Sequence, residues 1–146
     1  MMGRTSVVLD EADRWLFRVI LVVSLFVLFK GHNAPGGGFA GGLIAGGGFV
    51  LRYLAGGALR LRRTLAFRPL AGIGFGLFVA GMTAFVPTLV GNPALTSAIT
   101  TLDVPVIGEV KFVTSALFDV GVYMLVVGVI VQVLLSLGSD PLEERR

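Results

Sequence analysis

The sequence predicts an all-α integral membrane protein of about four transmembrane helices, and three observations carry that expectation. Of 146 residues, 55% are hydrophobic and only 14% are charged, with a mean hydropathy of +0.90, whereas soluble domains are about a quarter charged. A chain this small cannot enclose so much apolar surface within a water-facing skin, so lipid must solvate part of it. Four apolar runs approach the length of about 20 residues that a span needs. Finally, the basic residues are sorted to one side of those runs.

The first run covers about residues 15–29 and is short unless it starts nearer Asp13, with Arg18 placed to reach the headgroups and Trp15 at the interface. A signal peptide would have a basic start and a small-residue cleavage site. Here the start carries Asp10, Glu11 and Asp13, and Phe29-Lys30-Gly31-His32 follows the apolar stretch, so the run reads as a retained helix. The second run, about 35–54, is rich in glycine. The third, about 69–89, contains Pro87, which should bend or end its last turn. The fourth, about 112–137, follows the longest connection, residues 91–110. Within that connection the weak alternation from Leu102 to Val110 fits a short hairpin before the fourth helix.

Of the twelve Lys and Arg residues, ten fall on one side: Arg4, Arg14, Arg18, Arg52, Arg60, Arg62, Arg63, Arg68, Arg145 and Arg146. Only Lys30 and Lys111 fall on the other. By the positive-inside rule both termini and the arginine-rich connection between runs two and three are expected in the cytoplasm, with one membrane domain over residues 1–146. The net charge of +3 and pI near 10.0 therefore report topology, and no nucleic-acid partner is expected.

Glycine is the dominant feature of the second run. Gly38, Gly42 and Gly46 recur every four residues, as do Gly37, Gly41 and the small Ala45; Gly72, Gly76, Ala80 and Ala84 repeat the spacing on the third. No hydrophobic effect drives helices together in lipid, so small-xxx-small ridges that admit close backbone contact do so. These ridges pack helices within the chain, against another protein, or both. Asn33 and Pro35 fit a capped helix start; the glycines that follow would also suit an unwound turn at the membrane surface.

Asp119 is the polar residue most suited to chemistry, because an acid inside a span is costly and by default a functional candidate. Ser115 and Tyr123 lie four residues to either side, on its face and within hydrogen-bonding reach. The plainer reading makes Asp119 a hydrogen-bonded anchor between helices. His32 carries the side chain whose unperturbed pKa lies near neutrality, which suits a proton relay, although a turn histidine more often just hydrogen-bonds. Glu109 is placed to pair with Lys111 or to line an outer vestibule, and Lys30 and Lys111 read as interfacial anchors. Ser24, Thr83 and Gln132 are expected to bridge helices.

The exclusions are informative. Without cysteine there is no disulfide, thiolate metal site or cysteine nucleophile, and one histidine does not make an all-protein zinc site. No Walker loop, dinucleotide fingerprint or Ser-His-Asp set can be assembled, so no catalytic or metal-binding residue and no cofactor is assigned. A self-sufficient secondary transporter carries several intramembrane ionisable groups; this chain has one deep acid, too few to pump alone.

The run Gly31-His32-Asn33-Ala34-Pro35-Gly36-Gly37-Gly38-Phe39-Ala40-Gly41-Gly42-Leu43 closely resembles the signature of the MnhB/MrpB family, the small B subunit of multisubunit cation/proton antiporters. The stretch Leu117-Phe118-Asp119-Val120-Gly121-Val122-Tyr123-Met124-Leu125-Val126-Val127-Gly128 resembles that family's second hallmark, and Pro105-Val106-Ile107-Gly108 also fits. The likeness covers about residues 13–137. It implies a heteromeric complex in the plasma membrane of a bacterium or archaeon that exchanges internal Na⁺ for external protons. Its large subunits, which resemble those of respiratory complex I, carry the lysines and glutamates, and small membrane subunits complete it. The resemblance transfers to His32, Pro35, Gly36, Gly37, Gly38, Phe39 and Asp119, and implies that the glycine ridges meet sister subunits.

Three functions stand at this point: a non-catalytic but necessary subunit of a Na⁺/H⁺ antiporter driven by proton-motive force, the homologous subunit of a membrane-bound hydrogenase or oxidoreductase, and a stand-alone homo-oligomeric channel. Candidate ion-pathway residues are Asp119, His32, Glu109 and Tyr123; candidate packing residues are Pro35, Gly36, Gly37, Gly38, Phe39, Gly41, Gly42, Gly46, Gly72 and Gly76.

Overall fold

A computed structural model describes residues 7–31, 37–89, 91, 99–104 and 108–138. They form helix α1 (Val7–Lys30), α2 (Gly37–Thr64), α3 (Pro69–Leu89), strands β1 (Ile99–Val104) and β2 (Gly108–Val113), and α4 (Thr114–Leu137). Three helices are long and apolar enough to cross a membrane: α2, α3 from Pro69 to Val86, and α4 from Ser115. The first helix is long, but Glu11, Asp13, Arg14 and Arg18 occupy its first half, so its uninterrupted apolar run is shorter than a span.

Proline opens α3 where its missing N–H would have no helical partner, and the helix carries Pro87 before ending at Leu89. Gly31 and Gly138 close α1 and α4 by donating their N–H groups to Val27 and Leu134. The second helix exceeds the expected 35–54 at its far end because it continues beyond a break at Gly57 (φ 69°, ψ −172°). That backbone region is open to glycine alone, and it turns the segment Ala58–Thr64 back toward α1.

The strands pair antiparallel, from Ile99 opposite Val113 to Val104 opposite Gly108, and β2 runs straight into α4. The hairpin is longer than the Leu102–Val110 alternation because Ile99–Thr101 and Lys111–Val113 extend the ladder.

The helices pack in the spatial order α1, α2, α4, α3, so α4 is inserted beside α2 and α3 packs on α4. Contacts along each pair set the directions. On α1, Leu28 meets Gly41 and Ile20 meets Gly48, an antiparallel pair; Asp119, Val126 and Ile130 of α4 meet Gly38, Gly42 and Gly46 in parallel. This order explains the double glycine pattern of α2. It has a helix on each side, and its Gly38/Gly42/Gly46 ridge serves α4 while Gly41 and Gly48 serve α1. On the other side of α4, a Cβ at Gly76 would stand 2.6 Å from the Gly121 carbonyl. Gly72 instead lies against the Phe67 ring, 2.9 Å from where its Cβ would be.

The small core gathers Phe17, Ala45, Phe49, Leu61, Val127, Val131 and Leu134. Phe17 and Phe49 meet edge to face, their centroids 5.1 Å apart, an arrangement favoured by ring quadrupoles. Most other large apolar side chains face outward, including Trp15, Val22 and Phe26 of α1 and Phe75, Phe78 and Phe85 of α3. Only 11% of the α3 span is buried, as expected of a bundle solvated by lipid or neighbouring proteins.

Candidate functional site

Asp119 and an Asp13–arginine cluster lie at opposite ends of the bundle, with the Ser24–Tyr123 hydrogen bond between them. At the glycine-loop end, Asp119 sits about 8 Å into α4 at 1.5 Å per residue, shallower than expected because the helix begins at Thr114. Its carboxylate lies over Gly37, the first residue of α2: a Cβ built there would be 2.9 Å from both Oδ1 and Oδ2. Gly37 adopts a positive φ of 60°, which a side chain would strain. A Cβ on Gly38 would fall onto the Asp119 backbone carbonyl. Backbone therefore excludes any side chain at Gly38, whereas at Gly37 it is the positive φ that selects glycine.

The chemical consequence concerns the end of α2. The first N–H groups of a helix have no partner within it, and the dipole leaves that end positive. The first turn of α2 contains no acid of its own. Asp119 brings one from α4, so a carboxylate faces the positive end of a neighbouring helix. The capped start expected at Asn33 and Pro35 lies outside the described residues, as do His32 and Gly36.

The expected Tyr123–Asp119 partnership is not formed. The Tyr123 hydroxyl instead lies 2.9 Å from Ser24 Oγ on α1. Ser24 is completely buried and also donates to the Leu21 carbonyl at 2.7 Å. Among the described residues, no side chain hydrogen-bonds or ion-pairs with the Asp119 carboxylate. Glu109 takes a register position opposite Asp103 on the hairpin. Phe39 points outward, 59% exposed. Thr83 bonds the Val79 carbonyl of its own helix rather than a neighbour, because its hydroxyl reaches back one turn. Lys30 lies 5.7 Å from the Phe26 ring centroid, in keeping with an interfacial anchor.

At the other end, Asp13 of α1 receives two arginines of α2, Arg60 at 3.1 Å and Arg52 at 3.6 Å. Arg52 also stacks 4.6 Å from the Phe17 ring centroid, and its Nε donates to Thr64 Oγ1 at 3.2 Å. The turn at Gly57 is what brings Arg60 to Asp13. Sequence reading used these residues only for topology; the clue was an acid at the edge of a span whose neighbour ends in arginines.

Glycine-packed helices, three of them long and apolar enough to cross a bilayer, with the Asp119 carboxylate set among them, define a multi-pass membrane protein. A family model described as "Domain related to MnhB subunit of Na+/H+ antiporter" matches residues 8–132. The chain belongs to this MnhB family. It is 35% identical over 135 residues to the B subunit of the Na(+)/H(+) antiporter of Alkalihalophilus pseudofirmus, covering 92% of this chain and 94% of that one. It is 41% identical over 140 residues to the putative antiporter subunit mnhB2 of Staphylococcus aureus, covering 94% and 98%. Among solved structures, the Mrp complex from Dietzia sp. DQ12-45-1b contains a chain that matches with a TM-score of 0.75 and 34% identity. That match covers 90% of this chain and 14% of the other, so the same fold is both the whole of the curated subunits and a small part of a much longer polypeptide.

Proposed function

We propose that this chain is the small B-type membrane subunit of a multisubunit Na⁺/H⁺ antiporter, necessary for assembly and exchange but not itself the main translocating subunit. The observation that carries this reading is the near full-length match to proteins named as the B subunit of such antiporters, in a chain with one intramembrane acid. Exchange draws on the proton-motive force, and the ionisable groups that move Na⁺ and H⁺ across most of the membrane belong to larger partners. All four helices cross the membrane, α1 with its charged half at the headgroups, and the arginine-rich end lies in the cytoplasm.

Asp119 is this subunit's own contribution to the ion pathway. A carboxylate opposite a helix N-terminus stands where a cation or proton approaching from the glycine-loop side would meet it. Deleting the chain should abolish assembly of the sister subunits and Na⁺-driven proton movement in everted vesicles, with both restored by the wild-type chain. Asp119→Asn should leave the complex assembled and lower exchange. Normal exchange with Asp119→Asn would reduce this acid to a packing residue, and normal assembly without the chain would overturn the subunit role.

A further inference from the structure

The protons of the Ser24–Tyr123 contact can be assigned. Ser24 Oγ is 2.7 Å from the Leu21 carbonyl oxygen and 2.9 Å from the Tyr123 hydroxyl. A carbonyl only accepts, so the one Ser24 proton goes to Leu21, and Ser24 accepts the one Tyr123 proton. Both protons are committed. Any proton passed from Tyr123 to Ser24 would next face a backbone carbonyl, where the chain of donors ends. The pair fastens two helices and does not conduct.

Its location gives the fastening a purpose. Consecutive glycines on α2 face opposite neighbours here: a Cβ on Gly41 would be 2.8 Å from the Ser24 carbonyl, and one on Gly42 would be 2.9 Å from Val126 Cβ and 3.3 Å from the Tyr123 carbonyl. With both side chains absent, α1 and α4 close over α2 far enough for their hydroxyls to meet. Tyr123 is one turn along α4 from Asp119, on the same face and about 6 Å away along the axis. Rotating α4 so that Asp119 leaves Gly37 also pulls Tyr123 from Ser24, leaving the half-buried Tyr123 hydroxyl without its acceptor while Ser24 keeps its bond to Leu21.

We propose that the Ser24–Tyr123 hydrogen bond sets the rotation of α4 and so holds the Asp119 carboxylate at the N-terminus of α2. Both hydroxyls are then positioning groups for exchange, a role that rests on the reading of Asp119 given above. Tyr123, expected from sequence as an ion-pathway residue, acts through Asp119 instead.

The chain contains no cysteine, so Asp119→Cys can be labelled specifically in this subunit of the assembled complex with a maleimide. Adding Tyr123→Phe or Ser24→Ala should speed labelling about fivefold, the factor one net hydrogen bond confers. The two together should be no faster than either alone, and Ser24→Thr, which keeps the hydroxyl, should label at the original rate. With Asp119 intact, Tyr123→Phe and Ser24→Ala should each lower the maximal exchange rate by a similar factor. Unchanged labelling in both variants would overturn the proposal. So would a loss of exchange with Tyr123→Phe alone while Ser24→Ala exchanges normally, since that would make Tyr123 a relay. If Tyr123→Phe blocks assembly, Ser24→Ala against Ser24→Thr supplies the same comparison. Faster labelling combined with normal exchange in Asp119→Asn would support the fastening and overturn only the role of Asp119.

Discussion

Replacing Gly76 by alanine and, separately, Gly81 by alanine should change stability in opposite directions, although both glycines lie on α3. A Cβ at Gly76 would stand 2.6 Å from the Gly121 carbonyl oxygen and 2.7 Å from the Leu125 nitrogen. Both are helix backbone and cannot swing aside. Reaching an ordinary contact of about 3.5 Å requires α3 and α4 to part by nearly 1 Å, a gap that forfeits a quarter to a half of the dispersion attraction across the crossing. Overpacking of this kind costs about 1–3 kcal/mol, and here the upper end applies because backbone opposes the new methyl on two sides. Alanine returns up to about 1 kcal/mol of helix propensity, leaving a net loss of roughly 2 kcal/mol. At Gly81 a Cβ meets nothing within 4 Å, so the propensity gain stands alone and the variant should be stabilised by about 0.5–1 kcal/mol. Titrating the chain in mixed micelles with a denaturing detergent, followed by circular dichroism, measures both differences with the outer face of α3 against detergent alone. Gly76→Ala stabilised, or within about 0.5 kcal/mol of wild type, would show that α3 and α4 do not cross at backbone contact.

Three further outcomes are expected. Asp13→Ala leaves Arg52 and Arg60 facing each other; with Asp13 11% and the arginines 15% and 25% exposed, this should cost about 2–3 kcal/mol in the same titration, somewhat below a fully buried pair. Gly57→Ala forces a side chain into the backbone conformation that turns Arg60 toward Asp13, at about 1–3 kcal/mol. Combined with Asp13→Ala its loss should be less than additive, because the turn then no longer brings Arg60 to an Asp13 carboxylate. Gly42→Leu drives a branched side chain against Val126, 2.9 Å from the Cβ position, and should remove the subunit from the complex in copurification; intact recovery would place that ridge away from α4.

Much of the candidate site was legible because its determinants are local in the chain. An acid seven residues beyond Phe112 in an apolar run stands out in any reading, and glycines at every fourth position fall on one helix face whatever the helix packs against. The assignment of those faces was not legible. Gly38 and Gly41 differ by less than one turn, yet one meets α4 and the other α1, a division that depends on which helices flank α2. Tyr123 illustrates the same limit. Its spacing from Asp119 suggested an intrahelical partner, but its hydrogen-bond partner is a residue 99 positions away, and no sequence pattern relates Ser24 to Tyr123.

The amino-acid sequence by itself determined that the chain lives in a membrane, that its spans are helices, that one end is basic, and that a single acid is carried inside. These follow from hydropathy, 3.6-residue periodicity and charge, which act over a few turns. Only the tertiary structure decided that α4 inserts beside α2 while α3 packs on its other side, that Gly38, Gly42 and Gly46 of α2 meet α4, and that Asp119 faces the start of α2. The physical reason is that lipid solvates every apolar helix face about equally well. The choice among faces is left to close contacts and hydrogen bonds, and those exist only once the helices are assembled.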